Sequence, residues 1–403
     1  MNILLLGVGI QGKAALHDLA RSDAVTGILA ADRDESALRA HVHANGYQDR
    51  IRCTGLDAAN GEALDRLMGL GHDVVVDLLP VGFLDAVTGS AVKHRVHVVN
   101  TFYVTPGLRG IGPKAEAAGV TILPELGLDP GIDLVLMGRA IRQLETIRRI
   151  DSYGAGIPEP AAANNPLRYK VSWTLEGVLR AYRRGATLIR DGQEVKVPEG
   201  RIFDPEHVRL VQVEGVGTLE AYPNGDVTPY LPFLGRKGEE LREAGRYTMR
   251  WPGHSAMWKT LGDLGLLDDE PVPCEGTLIP PRRFLAAALE PMTRYGPRER
   301  DLAIVRVEAA GSRGGRPTRI LLEVVDRRDL HTGLFGMART VGYTASIGAQ
   351  MIGRGAIRKR GLLSPVTDVP YEELVEELGK RGVVVREHLL EGDTGTPGER
   401  GPS

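Results

Sequence analysis

The sequence predicts an α/β fold: an N-terminal, Rossmann-type doubly wound parallel sheet, followed by a second domain of mixed α+β type. Three observations predict it. Residues 1–32 hold a strand, a glycine turn, a helix and a second strand ending in an acid, the order a dinucleotide-binding unit requires. Buried-strand runs then alternate with helical stretches as far as residue 123, the pattern of a parallel sheet with crossover helices. From about residue 149 the connections lengthen, Pro and Gly become commoner, and alternating strands appear.

The elements follow in order. Asn2-Ile3-Leu4-Leu5-Leu6 is a short apolar run of buried-strand type. It enters Gly7-Val8-Gly9-Ile10-Gln11-Gly12 and then Lys13-Ala14-Ala15-Leu16-His17-Asp18-Leu19-Ala20, which has helical periodicity. Gly7 permits the tight turn, Gly9 a close approach to a pyrophosphate, and Gly12 the packing of helix on strand. The helix N-terminus, with Ile10 and Gln11 in its first turn, offers free N–H groups and the positive dipole end to phosphates. The run 25–31 ends on Asp32, 20 residues after Gly12. A carboxylate there accepts both ribose hydroxyls of NAD and repels a 2′-phosphate, so NAD is the expected cofactor. Arg33 leaves NADP open, since an arginine here holds the extra phosphate. Residues 51–57 read as a short strand and turn ending on Asp57, and 60–69 as a helix. Residues 72–80 read as a buried strand running into Leu79-Pro80, and 84–93 as a helix. Residues 97–100 read as a strand followed by Thr101-Phe102-Tyr103, 110–118 as a helix, and 120–123 as a strand. Ligands in such a sheet bind at the carboxyl ends of its strands. That rule singles out Asp32, Leu79, Pro80, Tyr103 and the loop after Leu123, with Arg33 and Asp57 as further cofactor contacts.

We place the domain boundaries at 1–130 and 131–330, with 331–390 returning to the nucleotide domain and 391–403 a disordered tail. In the second domain, residues 209–213 and 246–250 are strand-like. Residues 303–308 and 318–325 flank the hairpin turn Gly311-Ser312-Arg313-Gly314-Gly315, and 333–353 are helical.

Composition excludes several classes. Lys plus Arg is 50 and Asp plus Glu is 52, which argues against a nucleic-acid binder. No apolar run approaches the roughly 20 residues that span a bilayer, so no membrane association is expected. The opening run is too short for a signal segment. Cys53 and Cys274 are the only cysteines, far apart, which suggests a reduced, cytoplasmic chain. The histidines form no HExxH motif and no cluster, so no metal is expected.

Three segments carry candidate chemistry. Pro124-Glu125-Leu126-Gly127-Leu128-Asp129-Pro130-Gly131-Ile132-Asp133 follows a strand at the ligand edge. Asp129 reads as a helix cap, a role compatible with a substrate contact. Asn164-Asn165-Pro166-Leu167-Arg168-Tyr169-Lys170-Val171-Ser172-Trp173 is polar, basic and aromatic together; Lys170 can hold a carboxylate or move a proton, though a lone lysine is usually solvated. In Arg250-Trp251-Pro252-Gly253-His254, Arg250 suits bidentate carboxylate binding, and His254 serves equally as a general acid–base or as a rim histidine.

On these segments the chain resembles the saccharopine dehydrogenase family, in particular its glutamate-forming reductases and next its lysine 6-dehydrogenases. Ala221-Tyr222-Pro223-Asn224 before Asp226, Arg246-Tyr247 with Gly253, and Met337-Ala338-Arg339-Thr340-Val341-Gly342 extend the likeness. The resemblance implies nicotinamide-dependent oxidation at a C–N bond of an amino acid, in a homodimer whose second domain binds substrate and makes subunit contacts. It places Tyr103 and Asp129 beside the substrate, with Lys170 third among the acid–base candidates. Arg168, Tyr169, Trp173, Arg250 and His254 are then the substrate contacts. The departures are equally specific. Gly154 stands where the reductases carry Cys, Gly225 where they carry Arg, and Asp133-Leu134 where they carry Asp-His. Leu175-Glu176-Gly177 and the segment 250–254 resemble the lysine 6-dehydrogenase form. Three readings compete: saccharopine oxidation, lysine 6-dehydrogenation or a related amine or opine substrate, and a non-catalytic nucleotide sensor.

Overall fold

The computed structural model describes residues 1–172 and 174–391. They form two compact units, one of Met1–Gly138 with Met337–Val384, the other of Arg139–Gly336 with the described residues from Val385.

The first unit opens with β1 (Asn2–Leu6), α1 (Ile10–Arg21), β2 (Gly27–Asp32), α2 (Glu35–Ala44) and β3 (Ile51–Gly55). It continues through α3 (Gly61–Met68), β4 (Val74–Asp77), α4 (Leu84–His94), β5 (His97–Asn100), α5 (Pro106–Ala117), β6 (Thr121–Leu123) and α6 (Ile132–Gln143). The strands pair in parallel in the order β6-β5-β4-β1-β2-β3. Strand order reverses at β1, where β2 and β4 flank it and leave a crevice at the carboxyl edge. Buried Leu4, Leu6, Val75 and Val98 face a helix layer that contributes Leu64, Leu84 and Leu108. Helix α5 starts at Pro106, four residues before the predicted 110, because the Thr105 hydroxyl accepts from Leu108 N at 3.2 Å and proline suits the first helical position.

The second unit contains β7 (Thr146–Pro158), α7 (Leu175–Ala181), β8 (Ala186–Arg190), β9 (Gln193–Val197), β10 (Arg209–Val213), β11 (Gly217–Pro223) and β12 (Gly225–Asp226). Then come β13 (Glu243–Arg250), α8 (His254–Asp263), β14 (Val272–Cys274), β15 (Thr277–Ile279), α9 (Pro281–Leu289), β16 (Asp301–Arg313) and β17 (Arg316–Arg327). After it α10 (Gly336–Gly353), β18 (Gly361–Leu362), α11 (Pro365–Asp368), α12 (Tyr371–Lys380) and β19 (Val385–Glu391) close the described chain. Strand β18 extends the parallel sheet beyond β6, whereas β19 lies antiparallel to β17. The mixed sheet runs β10-β11-β13-β7-β16-β17-β19, with β8 beside β13. The unit's main core cluster packs Tyr153, Ile157, Tyr182, Tyr222, Trp258 and Ile304.

The C-terminal segment departs from the simple return expected over 331–390. Its helix begins at Gly336, and residues 385–391 join the second sheet, where β17 offers an open ladder edge and Arg316 pairs with Glu391 at 3.1 Å. The tail from 392 onward and Trp173 lie outside the described residues. Among the described residues no helix is long and apolar enough to cross a membrane, and no group of three or more His, Cys, Asp and Glu is placed to hold a metal.

Candidate active site

The glycine turn is built as its spacing requires. Gly7 has φ +84°, and its N–H donates to Ala31 O at 2.9 Å. A Cβ on Gly7 would lie 2.7 Å from Leu78 O, and one on Gly12 would lie 2.1 Å from Gly7 O, so neither position accepts a side chain. A Cβ on Gly9 would meet nothing within 4 Å. Gly9 caps α1 with no side-chain acceptor, and the first turn has no acid. The amides beyond Gly9, in the turn holding Ile10 and Gln11, are therefore available to an anion, so the residues present fit the pyrophosphate of a dinucleotide. Both Asp32 oxygens accept from backbone amides: Oδ2 from Val8 N at 2.7 Å and Oδ1 from Asp34 N at 3.0 Å. Arg33 beside it is exposed. Asp57 is exposed past the end of β3, with Oδ1 accepting from Ala59 N at 3.0 Å. Leu79 and Pro80 follow β4 next to the glycine turn.

The loops after β5 and β6 lie together. Glu125 N donates to Phe102 O and Leu126 N to Asn100 O, both at 3.0 Å. Gly127 N donates to Pro130 O at 2.9 Å, and the Asp129–Pro130 bond is cis. A Cβ on Gly131, whose φ is +148°, would fall 2.1 Å from Gly127 O, which explains two glycines four residues apart. Tyr103 is exposed and Asp129 half-buried on these adjacent loops, so the first unit brings both to the edge that carries the glycine turn.

The second unit brings some of its predicted residues together and commits others elsewhere. The Lys170 ammonium is buried and bonds both Glu299 oxygens, at 2.7 and 2.6 Å. Glu299 also accepts from Asn164 Nδ2 at 3.0 Å and from Gly296 N at 2.6 Å. Asn165 spans the turn, with Nδ2 donating to Tyr169 O and Met292 O at 2.8 Å. The polar side chains of this segment thus close a clasp on Glu299. Arg168 projects from the clasp with φ +46°, exposed, its guanidinium 5.7 Å from the Trp251 ring.

Tyr169, Arg250 and His254 do converge. Arg250, buried at the end of β13, places its guanidinium 4.8 Å from the Tyr169 ring and donates to Met249 O at 2.9 Å. Its Nε has no partner among the described residues. Glu220, opposite it in the ladder, bonds the amides of Gly253 and Ser255 at the start of α8. His254 opens that helix, its Nε2 2.8 Å from Tyr182 Oη. Burial, and then the Arg250 charge, push its pKa well below the usual value, so the imidazole is neutral near pH 7. Sequence reasoning missed Tyr182, Glu220 and Glu299, which have no short-range signature.

Residues 3–123 match the saccharopine dehydrogenase NADP binding domain, and residues 127–383 match the saccharopine dehydrogenase C-terminal domain. The chain belongs to the saccharopine dehydrogenase family. Within it, the chain is 27% identical over 458 residues to the saccharopine dehydrogenase [NADP(+), L-glutamate-forming] of Pyricularia oryzae, covering 96% of this chain and 99% of that one. It is 26% identical over 448 residues to the mitochondrial alpha-aminoadipic semialdehyde synthase of Bos taurus, where it spans 95% of itself but 47% of the relative. The chain thus spans about half the length of the mammalian relatives and nearly all of the fungal ones. Among solved structures, apo saccharopine dehydrogenase (L-Glu forming) from Saccharomyces cerevisiae superposes with a TM-score of 0.84 at 26% identity, covering 96% of this chain and 99% of that one. The family's nucleotide-binding domain makes this a nicotinamide dinucleotide protein.

Proposed function

We propose that this chain oxidises saccharopine at its secondary amine, giving glutamate and aminoadipate semialdehyde. The observation that carries this reading is the likeness to a glutamate-forming saccharopine dehydrogenase over nearly the whole of both chains. Arg250 supports it at residue level: a buried guanidinium with no carboxylate partner among the described residues is a ready site for a substrate carboxylate, and Arg168 is a second, exposed cation. NADP is the cofactor that fits better. Both Asp32 oxygens are engaged by backbone N–H groups, and Arg33 stands exposed beside them. Gly7, Gly9 and Gly12 with the first turn of α1 hold the pyrophosphate, and Leu79, Pro80 and Asp57 complete the rim.

The bound nicotinamide supplies the hydride acceptor. The protein's residues align the carbon that bears nitrogen and move protons as water adds to the substrate imine and the carbinolamine collapses. Asp129 and Tyr103, on adjacent loops, are the acid–base pair in this reading. Lys170 is held by Glu299 and His254 is neutral and bonded to Tyr182, so these two shape the second unit rather than exchange protons. A second reading, lysine 6-dehydrogenation, is favoured by Gly225. It adopts φ +84°, a backbone conformation in which the reductases' arginine would be strained. A homodimer is supported by the apolar exposure of Leu264, Val272, Leu278 and Phe284, and a cytoplasmic chain by its two free cysteines. The test is product analysis with saccharopine and NADP: one glutamate released per nucleotide reduced supports the proposal, and nucleotide reduction without glutamate refutes it.

A further inference from the structure

We propose that Asp77 and Asn100 form a buried positioning pair at the switch point of the parallel sheet, holding the two loops that frame the dinucleotide edge, and that the pair works with the Asp77 carboxyl protonated. Asp77 ends β4 and Asn100 ends β5, and the two are register partners, with Leu6 of β1 on the other side of Asp77. Both side chains are 0% exposed. Each makes the same local bond. Asp77 Oδ1 accepts from Leu79 N at 3.1 Å, and Asn100 Oδ1 accepts from Phe102 N at 3.0 Å. The first bond shapes the turn through Leu79 and Pro80; the second shapes the turn leading to Tyr103.

Asp77 Oδ2 and Asn100 Nδ2 have no partner among the described residues, nor does Thr88 Oγ1 on the buried face of α4. The layer is otherwise apolar, with Leu6, Val75, Leu84, Val87, Val98 and Leu108. Glu62 and Arg66 of α3, Asp85 and Lys93 of α4, and Arg109, Lys114 and Glu116 of α5 are exposed, and the half-buried Asp65 of α3 and His94 of α4 are spent on each other at 3.0 Å, so among the described residues no charge from these helices compensates Asp77. An ionised carboxylate would therefore be buried with the Leu79 N–H, and no cation among the described residues, to compensate it. Desolvation pushes the carboxyl up to about 7, against the pull of the Leu79 N–H bond, and no charged group acts on it. The protonated acid carries no charge into this apolar layer. Ionisation places an unbalanced charge directly beneath both loops and loosens them.

The consequence for cofactor binding rests on the dinucleotide reading of this edge. Melts without nucleotide test the pair by itself, so the two fail separately. Asp77→Asn keeps the acceptor for Leu79 N–H and cannot ionise; Asp77→Ser does the same should the first variant not fold. Thermal midpoints of the nucleotide-free protein and NADPH binding by fluorescence are compared between about pH 6 and about pH 8. Comparison with the parent cancels the titration of NADPH itself. The variant's midpoint should gain on the parent's as pH rises through 7, and the parent should lose about tenfold more NADPH affinity than the variant over that interval. Asn100→Leu should weaken NADPH binding at every pH. Parallel pH curves for Asp77→Asn and parent, or unchanged NADPH affinity in Asn100→Leu, would overturn the proposal.

Discussion

At the scale of single residues, proton transfer separates from clasp-building. Asp129→Asn and Tyr103→Phe should each lower turnover by about 10²-fold or more while NADPH binding measured by fluorescence stays intact. Unchanged turnover in both would remove them from the chemistry. Lys170→Met should act on stability instead. It leaves Glu299, which is mostly buried, without its cation, at a cost of roughly 1–3 kcal/mol, visible as a lowered thermal midpoint. The sequence exposed the segment 164–170 as unusual but not its use, because Glu299 lies 129 residues from Lys170 and no local spacing points to it. The same holds for His254, whose partner Tyr182 lies 72 residues away. By contrast, the roles of Gly7 and Gly12 were legible, since a strand, a tight turn and a helix start are encoded within a few residues.

At the scale of elements, the helix proposed to carry the phosphate site, α1, is held in place by the C-terminal helices. Gly342 of α10 lies so close to α1 that an added Cβ would fall 2.5 Å from Gln11 O and 2.7 Å from Ala15 N. The Asp18 side chain of α1 accepts from Ser346 Oγ at 2.6 Å, Gln350 Nε2 at 3.0 Å and Arg381 Nε at 2.5 Å. Arg381, just past α12, also bonds Glu377 at 2.6 Å. Gly342→Val should therefore displace α1, costing about 1–3 kcal/mol and weakening NADPH binding together. Asp18→Ala should leave the half-buried Arg381 with Glu377 as its carboxylate partner and strip Ser346 and Gln350 of their acceptor, costing about 1–3 kcal/mol in a thermal or urea melt. The parallel sheet up to β6 could be read from apolar runs and their spacing. The attachment of α10 and α12 to α1 could not, because it depends on contacts more than 300 residues apart, such as Ser346 with Asp18 (|i−j| 328).

At the scale of the whole molecule, pH should act on the second unit through His254. Its folded pKa is depressed from 6.5, so its contribution to stability is present above about 6.5 and is lost as pH falls toward the folded value. Melts of the unsubstituted protein should lose midpoint on acidification from pH 6.5, and His254→Gln should flatten part of that loss. Fold class and family were legible in the sequence because motifs of both domains survive nearly intact. The substrate was not, because it turns on positions such as Gly154 and Gly225, where a side chain is missing and spacing carries no information. The most direct test is therefore kinetic: kcat/KM for saccharopine and for lysine, each with NADP and with NAD, followed by absorbance of the reduced nucleotide. The proposal predicts the highest value for saccharopine with NADP. A higher value for lysine, or no reduction with saccharopine and either nucleotide, would contradict it.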